Sequence, residues 1–440
     1  MSNIKVRFAP SPTGWIHIGN VRTALFNYLW TKKMGGTMLL RIDDTDIVRS
    51  KKEYEDGIYD ALKWLGIKWD EEARQSHRIK RYDEVVERLK KEGRIYACYD
   101  SAEELEFKRK RLMARGLSPI YDRQALKYTP EDIKRFESEG RKPHYRFKLV
   151  DSEIMWNDAV RGVCKYDATK LSDPIIIRED GSYLYHLPSV IDDVDFGITH
   201  IVRGEDHVTN TATQIQMFEA LGGKVPVFAH LPLLTGKEGK LSKRLGSLGI
   251  RELREEGVEA MAICSFLAKL GTSEDIRTFY DLDELAETLD FNKIGRSQPK
   301  FDEEELKKFN TKLVHTLPYK NLKDNFGITE EFWNDVRGNL EIAKDILLWD
   351  NICNKEIEPV MEDKDFTVAA SELLPKEKFD VNTFGAWMNE VKAKTGRKGK
   401  ELFHPIRMAL SAEANGPELK TLLPLIGYDK AYKRLRGEKA

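Results

Sequence analysis

Apolar and polar positions near the start of the chain follow two different periods. Residues 4–9 alternate as in a β-strand, and TMLLRI (37–42) predicts a second strand. Between them apolar residues recur at the spacing of one helix face, namely Val21, Ala24, Leu25, Tyr28 and Leu29. The pair Gly35-Gly36 supplies a helix stop. A strand, a helix and a strand at this spacing predict a βαβ unit with a parallel sheet and a right-handed crossover.

The βα pattern pauses in the middle of the chain and then resumes. A second helix presents one apolar face, made of Ile58, Ala61, Leu62 and Leu65. From about 95 to 170 the sequence is polar and mixed, as in an inserted subdomain. The pattern returns with ITHIVR (198–203) and FAHLPLL (228–234). From about 251 onward the spacing is overwhelmingly helical, which predicts a split α/β domain followed by a helical tail.

Composition narrows the class of protein. Hydrophobic residues make up 41% and charged residues 33% of the 440 residues, as in a soluble globular chain. No apolar run approaches the ~18 residues of a membrane span, and the first strand signal leaves no room for a targeting peptide. We therefore expect a cytoplasmic protein without membrane association. The cysteines form no closely spaced pair and are interpreted as free thiols: Cys98, Cys164, Cys264 and Cys353.

The net charge of −1 hides two basic segments. Residues 391–440 hold 12 Lys/Arg against 5 Asp/Glu, and residues 101–148 hold 13 against 8. Each can be a solvated charged face, which is the usual case for such runs. The two can also be separate footprints on one polyanion, and composition does not choose between these interpretations.

A histidine and a glycine stand in the turn between the first strand and the first helix. A helix N-terminus presents free N–H groups and a partial positive charge, which attract phosphate. His17 can donate a hydrogen bond to a phosphate oxygen there, and Gly19 leaves room for a planar ring. Pro10 and Pro12 fix the turn. A histidine at this position can equally be a cap or a surface residue, so position alone leaves its role open.

A glycine-flanked basic segment follows FAHLPLL. TGKEGKLSKRLGSLG (235–249) carries Lys237, Lys240, Lys243 and Arg244. Such a loop can close over a triphosphate and neutralise its oxygens, although a solvated surface loop explains the composition equally well.

Two motifs in these segments resemble the signatures of class I aminoacyl-tRNA synthetases: HIGN (17–20) resembles HIGH, and KLSKR (240–244) resembles KMSKS. Longer stretches together resemble bacterial-type glutamyl-tRNA synthetases almost end to end: RFAPSPTGWIHIG, RIDDTD (41–46), VDFGITHIVRGEDHVTNTATQI (194–215) and GRKGKELFHPIRMALSAEANGPELKTLLPLIG (396–427). The resemblance implies ATP-dependent ligation of L-glutamate to tRNA(Glu) through a glutamyl-adenylate, with release of AMP and pyrophosphate.

The resemblance also implies a fold. It implies a Rossmann-type parallel-sheet catalytic domain with an inserted acceptor-binding subdomain, followed by an all-α C-terminal region. The expected bounds are 1–94 and 171–250 for the two catalytic halves, 95–170 for the insertion that binds the acceptor end, 251–315 for a helical domain that contacts the stem, and 316–440 for the helices that bind the anticodon.

Site residues are carried over onto the matching positions. His17 and Lys243 would be catalytic and steady the phosphates in the transition state, since neither step of the reaction needs a protein nucleophile. Mg²⁺ would be held mainly by ATP itself, without a protein ligand. The implied ATP-binding set is Pro10, Ser11, Pro12, Thr13, Gly14, His17, Gly19, Asn20, Lys240, Ser242, Lys243 and Arg244.

Glutamate offers two carboxylates and one ammonium. The pocket that the resemblance implies consists of Arg7, Ala9, Ser11, Asp43, Tyr185 and Arg203. Arginine forks can grip carboxylates in bidentate fashion, and which arginine takes which carboxylate is left open. Asp43 stands where the family commonly has a glutamate that holds the α-ammonium, so its reach is shorter. Arg203 has a competing interpretation as the ion-pair partner of Glu205 or Asp206.

Two positions depart from the family pattern. Asn20 replaces the last histidine of the HIGH signature and removes one donor. Many relatives carry a zinc-binding CxC in the insertion, whereas YACYD (96–100) keeps Cys98 and has Asp100 at the partner position. We therefore expect no zinc.

The basic tail gains a use from the resemblance. Lysine and arginine contacts to phosphates give affinity, while splayed loop bases carry the sequence information. The expected phosphate contacts are Lys392, Lys394, Arg397, Lys398 and Lys400. The expected partner is tRNA(Glu); tRNA(Gln) is left open as a second substrate, because some such enzymes charge both. A monomer is the default oligomeric state.

Other functions fit less of the sequence. A truncated paralogue that glutamylates a modified tRNA base lacks the helical tail, and a glutaminyl enzyme matches the tail and the insertion less well. A small HxGH nucleotidyltransferase explains His17 but not the second half of the chain. A non-catalytic RNA-binding module would have no need to keep both His17 and Lys243.

Overall fold

The computed structural model describes residues 4–236, 249–322, 326–380 and 382–440. The chain divides into two compact units, Met1–Arg254 with Cys264–Asp302 and Glu255–Ile263 with Glu303–Ala440. Within the described ranges, no helix is both long enough and apolar enough to cross a membrane.

The first unit combines strands and helices. Its strands are β1 (Lys5–Phe8), β2 (Thr37–Ile42), β3 (Glu71–Arg74), β4 (Ile95–Cys98), β5 (His144–Phe147), β6 (Glu153–Asp158), β7 (Gly162–Asp167), β8 (Ile175–Ile177), β9 (His200–Gly204) and β10 (Val227–Leu231). Its helices are α1 (Ile18–Met34), α2 (Lys52–Trp64), α3 (Ile79–Lys91), α4 (Ala102–Ala114), α5 (Pro130–Ser138), α6 (His186–Asp195), α7 (Val208–Ala220), α8 (Ile250–Glu255), α9 (Ala260–Lys269) and α10 (Leu282–Glu287). The division between the units falls within α8 and α9.

A parallel sheet organises the first unit. β2 pairs in parallel with β1 and β3, and β10 pairs in parallel with β9. β9 lies beside β1, where the N–H of Thr199 donates to the carbonyl of Lys5 at 2.9 Å. The strand succession therefore reverses between β1 and β9, and in such sheets ligands bind beyond the carboxyl ends of the strands at that point. The predicted parallel α/β fold is confirmed.

Helix α1 follows β1 as the apolar spacing predicts. The predicted face is buried, and His17 is the N-cap residue. Gly35 ends the helix with a φ of 60°, a left-handed conformation that glycine adopts without a Cβ clash. Local sequence therefore specifies both ends of the helix that starts at the carboxyl edge of the sheet.

The segment between β3 and β9 contains antiparallel pairs. β4, β5 and β8 form one antiparallel sheet, and β6 and β7 form a hairpin. At the turn of that hairpin the N–H of Ala159 donates to the carbonyl of Phe228 in β10 at 2.8 Å. The hairpin turn is thus fastened to the parallel sheet.

The second unit is built from helices in its described part, which confirms the predicted all-α C-terminal region. Beyond its short first segment, its helices are α11 (Glu303–Thr316), α12 (Glu330–Val336), α13 (Ile346–Asn354), α14 (Lys364–Ser371), α15 (Thr383–Thr395), α16 (Lys400–Ser411), α17 (Leu419–Ile426) and α18 (Tyr428–Leu435).

The buried guanidinium of Arg434 donates to the carbonyls of Ala440, Leu410 and Ile352 at 2.9, 2.8 and 2.8 Å. One side chain therefore joins three stretches of the unit.

We expect Arg434→Met to lower the free energy of unfolding by about 3 kcal/mol or more, because each buried carbonyl left without a donor costs about 1–3 kcal/mol. Thermal and urea unfolding followed by circular dichroism measure the change. Lys433→Met is the matched control, since Lys433 is exposed in the same helical turn and its loss should change little. Equal stability of the two variants would contradict the role given to Arg434.

Candidate active site

A cavity of about 530 Å³ opens at the carboxyl ends of β1 and β9 and at the start of α1. It brings together residues that are far apart in the sequence. The predicted site residues that line it are Arg7, Ala9, Pro10, Ser11, Thr13, Gly14, His17, Gly19, Asn20, Asp43, Tyr185 and Arg203. Pro12 is buried and is not a lining residue. Lys240, Ser242, Lys243 and Arg244 lie outside the described residues.

His17 both caps α1 and faces the cavity. Its Nδ1 accepts the N–H of Gly19 at 3.2 Å, while its own backbone N–H donates to Asn20 Oδ1 at 3.3 Å. Burial lowers the pKa of His17, which favours the neutral ring. Because Nδ1 is the acceptor, the proton of the neutral ring is on Nε2. His17 is therefore both a cap and a hydrogen-bond donor, so the two interpretations of its position are compatible.

Gly19 has a steric role that the sequence did not reveal. A Cβ at this position would stand 3.2 Å from both Cε1 and Nδ1 of the His17 ring. The glycine therefore makes room for the histidine itself, in addition to any planar ligand ring.

The flanks of the basic segment are described. Thr235 forms a parallel bridge with Lys300, and Gly249 forms an antiparallel bridge with His17. The chain thus returns from the KLSKR segment directly beside the cap of α1.

Arg7 and Arg203 lie on neighbouring strands and differ in their partners. Arg7 Nε donates to Asp193 Oδ1 at 3.2 Å. Arg203 Nε donates to His230 Nε2 at 3.3 Å, and its Nη2 donates to Thr211 Oγ1 at 2.6 Å. Burial, together with the smaller effect of the positive charge of Arg7, lowers the pKa of Arg203 to about 10.

The alternative ion pair of Arg203 with Glu205 or Asp206 does not occur in the described structure. Glu205 instead accepts from Arg161 Nη1 at 2.7 Å. Within the described ranges, no carboxylate lies at ion-pair distance from Arg203, so this buried cation has only neutral hydrogen-bond partners. Such a group favours the entry of an anion.

Asp43 is already engaged by an arginine that the sequence did not single out. Arg41 donates from Nε to Asp43 Oδ1 at 2.6 Å and from Nη2 to Oδ2 at 3.0 Å. Arg41 Nη1 also donates to Asp193 Oδ1 at 2.8 Å. Burial raises the pKa of Asp43 to about 6 against the opposing effect of Arg41. A ligand ammonium at Asp43 would therefore share its carboxylate with Arg41.

Further lining residues were missed by the sequence interpretation, including Arg41, Ser189 and His207. His207 Nδ1 lies 3.5 Å from the hydroxyl of Tyr185. Burial and the charge of Arg203 lower the pKa of His207 to about 4, so the ring is neutral near pH 7. His207 is the last residue of the RGEDH motif that also contains Arg203. This position in the sequence was the one signal that it lines the same cavity.

The residues around Cys98 do not fit a zinc ion. Cys98 Sγ lies 3.3 Å from the hydroxyl of Tyr121. The carboxylate of Asp100 accepts from Lys108 Nζ at 3.1 Å and from the hydroxyl of Tyr128. In the described part of the chain, no group of three or more His, Cys, Asp or Glu side chains is arranged to hold a metal. An ammonium group supplies the positive charge beside Asp100 instead.

The expected phosphate contacts in the tail fall into two kinds. Lys392, Lys394, Lys398 and Lys400 are exposed. Arg397 instead pairs with Asp363 at 2.8 Å and lies over the ring of Phe366 at 4.1 Å. Its guanidinium is thus held within the second unit.

Comparison with known proteins identifies the family to which this chain belongs. A family model for the catalytic domain of class I tRNA synthetases (E and Q) matches residues 3–308, and a model for an anticodon binding domain matches residues 362–438. The first match covers more than half of the chain and points to the class I tRNA synthetases.

Similar proteins align with this chain over nearly its whole length and over nearly the whole of their own. Glutamate–tRNA ligase 1 of Maricaulis maris (strain MCS10) is 52% identical over 99% of this chain and 100% of its own length. Glutamate–tRNA ligase of Azospirillum brasilense is 50% identical over 100% of both. A crystal structure of a glutamate tRNA ligase from Elizabethkingia meningosepticum CCUG26117 in complex with its amino acid has a TM-score of 0.82 at 28% identity, covering 99% of this chain and 98% of that one. The chain therefore belongs to the class I tRNA synthetases, within them to the glutamate–tRNA ligase family.

We expect the purified protein to contain no stoichiometric zinc. We also expect Lys108→Met to lower the midpoint of thermal unfolding, because Asp100 then loses the ammonium group of Lys108. The loss of a hydrogen bond to a buried charged group corresponds to about 1.5–3 kcal/mol. Elemental analysis and thermal unfolding measure the two effects. Lys110→Met is the control, since Lys110 is exposed in the same helix. Zinc at stoichiometric level, lost together with Cys98 in Cys98→Ser, would contradict this account.

Proposed function

We propose that this chain ligates L-glutamate to tRNA(Glu) at the expense of ATP, through a glutamyl-adenylate intermediate. The observation that carries the proposal is the set of side chains that line one cavity. It contains a neutral histidine donor at a helix N-terminus and, on neighbouring strands, two arginines, of which Arg203 is a buried cation without an ion-paired carboxylate in the part of the chain that the structure describes. A nucleoside triphosphate and a dicarboxylate are two ligands that such a cavity can hold together.

Nucleotide binding is proposed at the start of α1. The free N–H groups there and the Nε2 proton of His17 would face the phosphates of ATP. We propose that Pro10, Thr13 and Gly14 form the wall beside them, with Gly19 and Asn20. Mg²⁺ bound to ATP would neutralise phosphate charge, and we propose no protein ligand for it.

The basic segment would complete the nucleotide site. Lys243 is proposed as the second catalytic residue, with Lys240, Ser242 and Arg244 as further ATP contacts. Support comes from the flanks, because Gly249 bridges to His17 and the segment therefore begins and ends in the first unit.

Glutamate is proposed to lie between the two strands. Arg7 and Arg203 would bind its carboxylates, and Asp43 would hold its α-ammonium. Hydrogen bonds from Tyr185 and Ser11 and the backbone at Ala9 would complete the pocket. The α-carboxylate then attacks the α-phosphate of ATP and displaces pyrophosphate, and the acyl group passes from the adenylate to a terminal ribose hydroxyl of tRNA with release of AMP. Both steps depend on positioning and charge neutralisation, which this set of residues can supply.

The partner is proposed to be tRNA(Glu), bound by both units. Residues 95–170 would bind the acceptor end, 251–315 the stem and 316–440 the anticodon, with catalytic halves at 1–94 and 171–250. The exposed lysines Lys392, Lys394, Lys398 and Lys400 would contact phosphates, whereas Arg397 would do so only by leaving Asp363. We propose a cytoplasmic monomer and treat charging of tRNA(Gln) as an alternative to be tested.

The direct test is ATP–pyrophosphate exchange and aminoacylation with glutamate or glutamine, in the presence of tRNA(Glu) or tRNA(Gln). Glutamate-dependent exchange and charging of tRNA(Glu) are expected. Charging of tRNA(Gln) with glutamate would mark a non-discriminating enzyme. Tight tRNA binding without exchange under any condition would overturn the proposal in favour of an RNA-binding module.

We expect His17→Asn to lower kcat for exchange by about 10²-fold or more, because the loss of one preorganised donor in the transition state has that effect. Asparagine is itself a good N-cap residue, so the unfolding midpoint should change little. A variant that unfolds at the assay temperature, or that retains full kcat, would assign His17 a capping role alone.

We expect the KM for glutamate to rise as the pH falls through about 6. The raised pKa of Asp43 means that its carboxylate takes up a proton there and loses its attraction for the α-ammonium. Between pH 7 and pH 5 the charged fraction of a group with a pKa of about 6 falls about tenfold. Steady-state kinetics at saturating ATP measure the profile. Asp43→Asn should have a higher KM that no longer changes over this range, and an unchanged profile in that variant would exclude Asp43 as the titrating group.

A further inference from the structure

The imidazole of His230 lies beside Arg203 in the core of the parallel sheet. His230 in β10 and Arg203 in β9 are directly paired in the register of the two strands. His230 is fully buried, and its Nε2 lies 3.3 Å from Arg203 Nε and 2.9 Å from Thr211 Oγ1. Since the Nε–H of arginine can only donate, the His230 nitrogen that faces it must be an acceptor.

Asp158 determines which nitrogen of His230 carries the proton. Its Oδ2 lies 2.5 Å from His230 Nδ1. Its Oδ1 accepts the backbone N–H groups of Val160, Arg161 and His230 at 3.1, 3.0 and 3.2 Å. Burial alone would raise the pKa of Asp158, but the hydrogen bonds from His230 and the backbone lower it below its usual range. An ionised carboxylate needs a donor, so Nδ1 carries the proton and Nε2 keeps its lone pair.

A neutral acceptor beside Arg203 leaves the charge of the guanidinium in place, whereas a carboxylate would neutralise it. Burial lowers the pKa of His230, so the ring is uncharged at neutral pH. It can orient the guanidinium of Arg203 without cancelling its positive charge. The nearby Arg41 shows the opposite case, because Asp43 and Asp193 both neutralise it.

We propose that His230 is a positioning residue for amino-acid recognition: Asp158 fixes its tautomer, and its Nε2 holds the Arg203 guanidinium in the orientation that receives a carboxylate of glutamate. This inference rests on the proposed function of Arg203. It assigns to the end of β6, where Asp158 precedes the turn of the β6–β7 hairpin, a part in the recognition of the amino acid.

The test is steady-state exchange kinetics with glutamate and tRNA(Glu). His230→Asn keeps an amide donor near the position of Nδ1 for Asp158 but has no acceptor for Arg203. His230→Gln places a carbonyl near the position of Nε2. We expect His230→Asn to raise the KM for glutamate about 10- to 100-fold, as for the loss of a hydrogen bond to a charged group, with the KM for ATP unchanged. His230→Gln should restore most of that loss.

Two further variants make the result specific. Asp158→Asn can donate to Nδ1, which would move the imidazole proton to Nε2 and turn a donor toward Arg203. It should therefore raise the KM for glutamate although His230 is intact. His200→Asn is the control, because His200 is a partly buried histidine of β9 that does not line the cavity. Thermal unfolding of every variant separates altered binding from loss of the fold.

Three outcomes would overturn the proposal. They are an unchanged KM for glutamate in folded His230→Asn and Asp158→Asn, an equal rise in the KM values for glutamate and ATP, and no recovery in a folded His230→Gln. If His230→Asn does not fold, Asp158→Asn and His230→Gln decide by the same criteria. A wild-type protein without glutamate-dependent exchange would instead refute the proposed function itself, so the two failures are distinguishable.

Discussion

The candidate active site depends on a buried positive charge that the described residues do not neutralise. Arg203 is buried, and its described partners are an imidazole and a hydroxyl. Removing a cation from water costs free energy that neutral acceptors offset only in part. An entering carboxylate recovers that free energy, whereas a neutral amide of the same shape cannot. This difference gives the cavity a physical basis for preferring a dicarboxylate to its amide.

The carboxylates around the cavity pair closely with one arginine and leave others available to contact a ligand. Arg41 is fully buried and is bound by Asp43 and Asp193, with Asp192 at 3.7 Å. Arg7 gives only its Nε to Asp193, at 3.2 Å, and lines the cavity. Helix α6 thus supplies carboxylates that hold Arg41 in the structure, whereas Arg203 feels the charge of Asp193 only from beyond ion-pair distance and has no ion pair among the described residues. Neighbouring strands of one sheet thereby carry a structural arginine and ligand-binding candidates.

Sequence predicted the parts of this structure that depend on local pattern. The β1–α1–β2 unit follows from apolar spacing and from the glycine at the end of the helix, and the motifs singled out Arg7, His17 and Arg203, which all line the cavity. The partners of these residues were not predicted, because Asp158 and His230 are 72 positions apart and no local period records such a contact. Asp43 is an intermediate case. It follows Arg41 by two positions at the end of a strand, where side chains share a face, so their pairing had a signal that was not used.

The proposed recognition of glutamate depends on Arg203, whose buried charge has no carboxylate at ion-pair distance among the described residues. Calorimetric titration of wild type and Arg203→Gln with glutamate and with glutamine tests it most directly. We expect wild type to prefer glutamate, and Arg203→Gln to lose about 2–5 kcal/mol of glutamate binding while its weak binding of glutamine changes little. Undiminished glutamate binding by Arg203→Gln would exclude Arg203 as the group that binds the carboxylate.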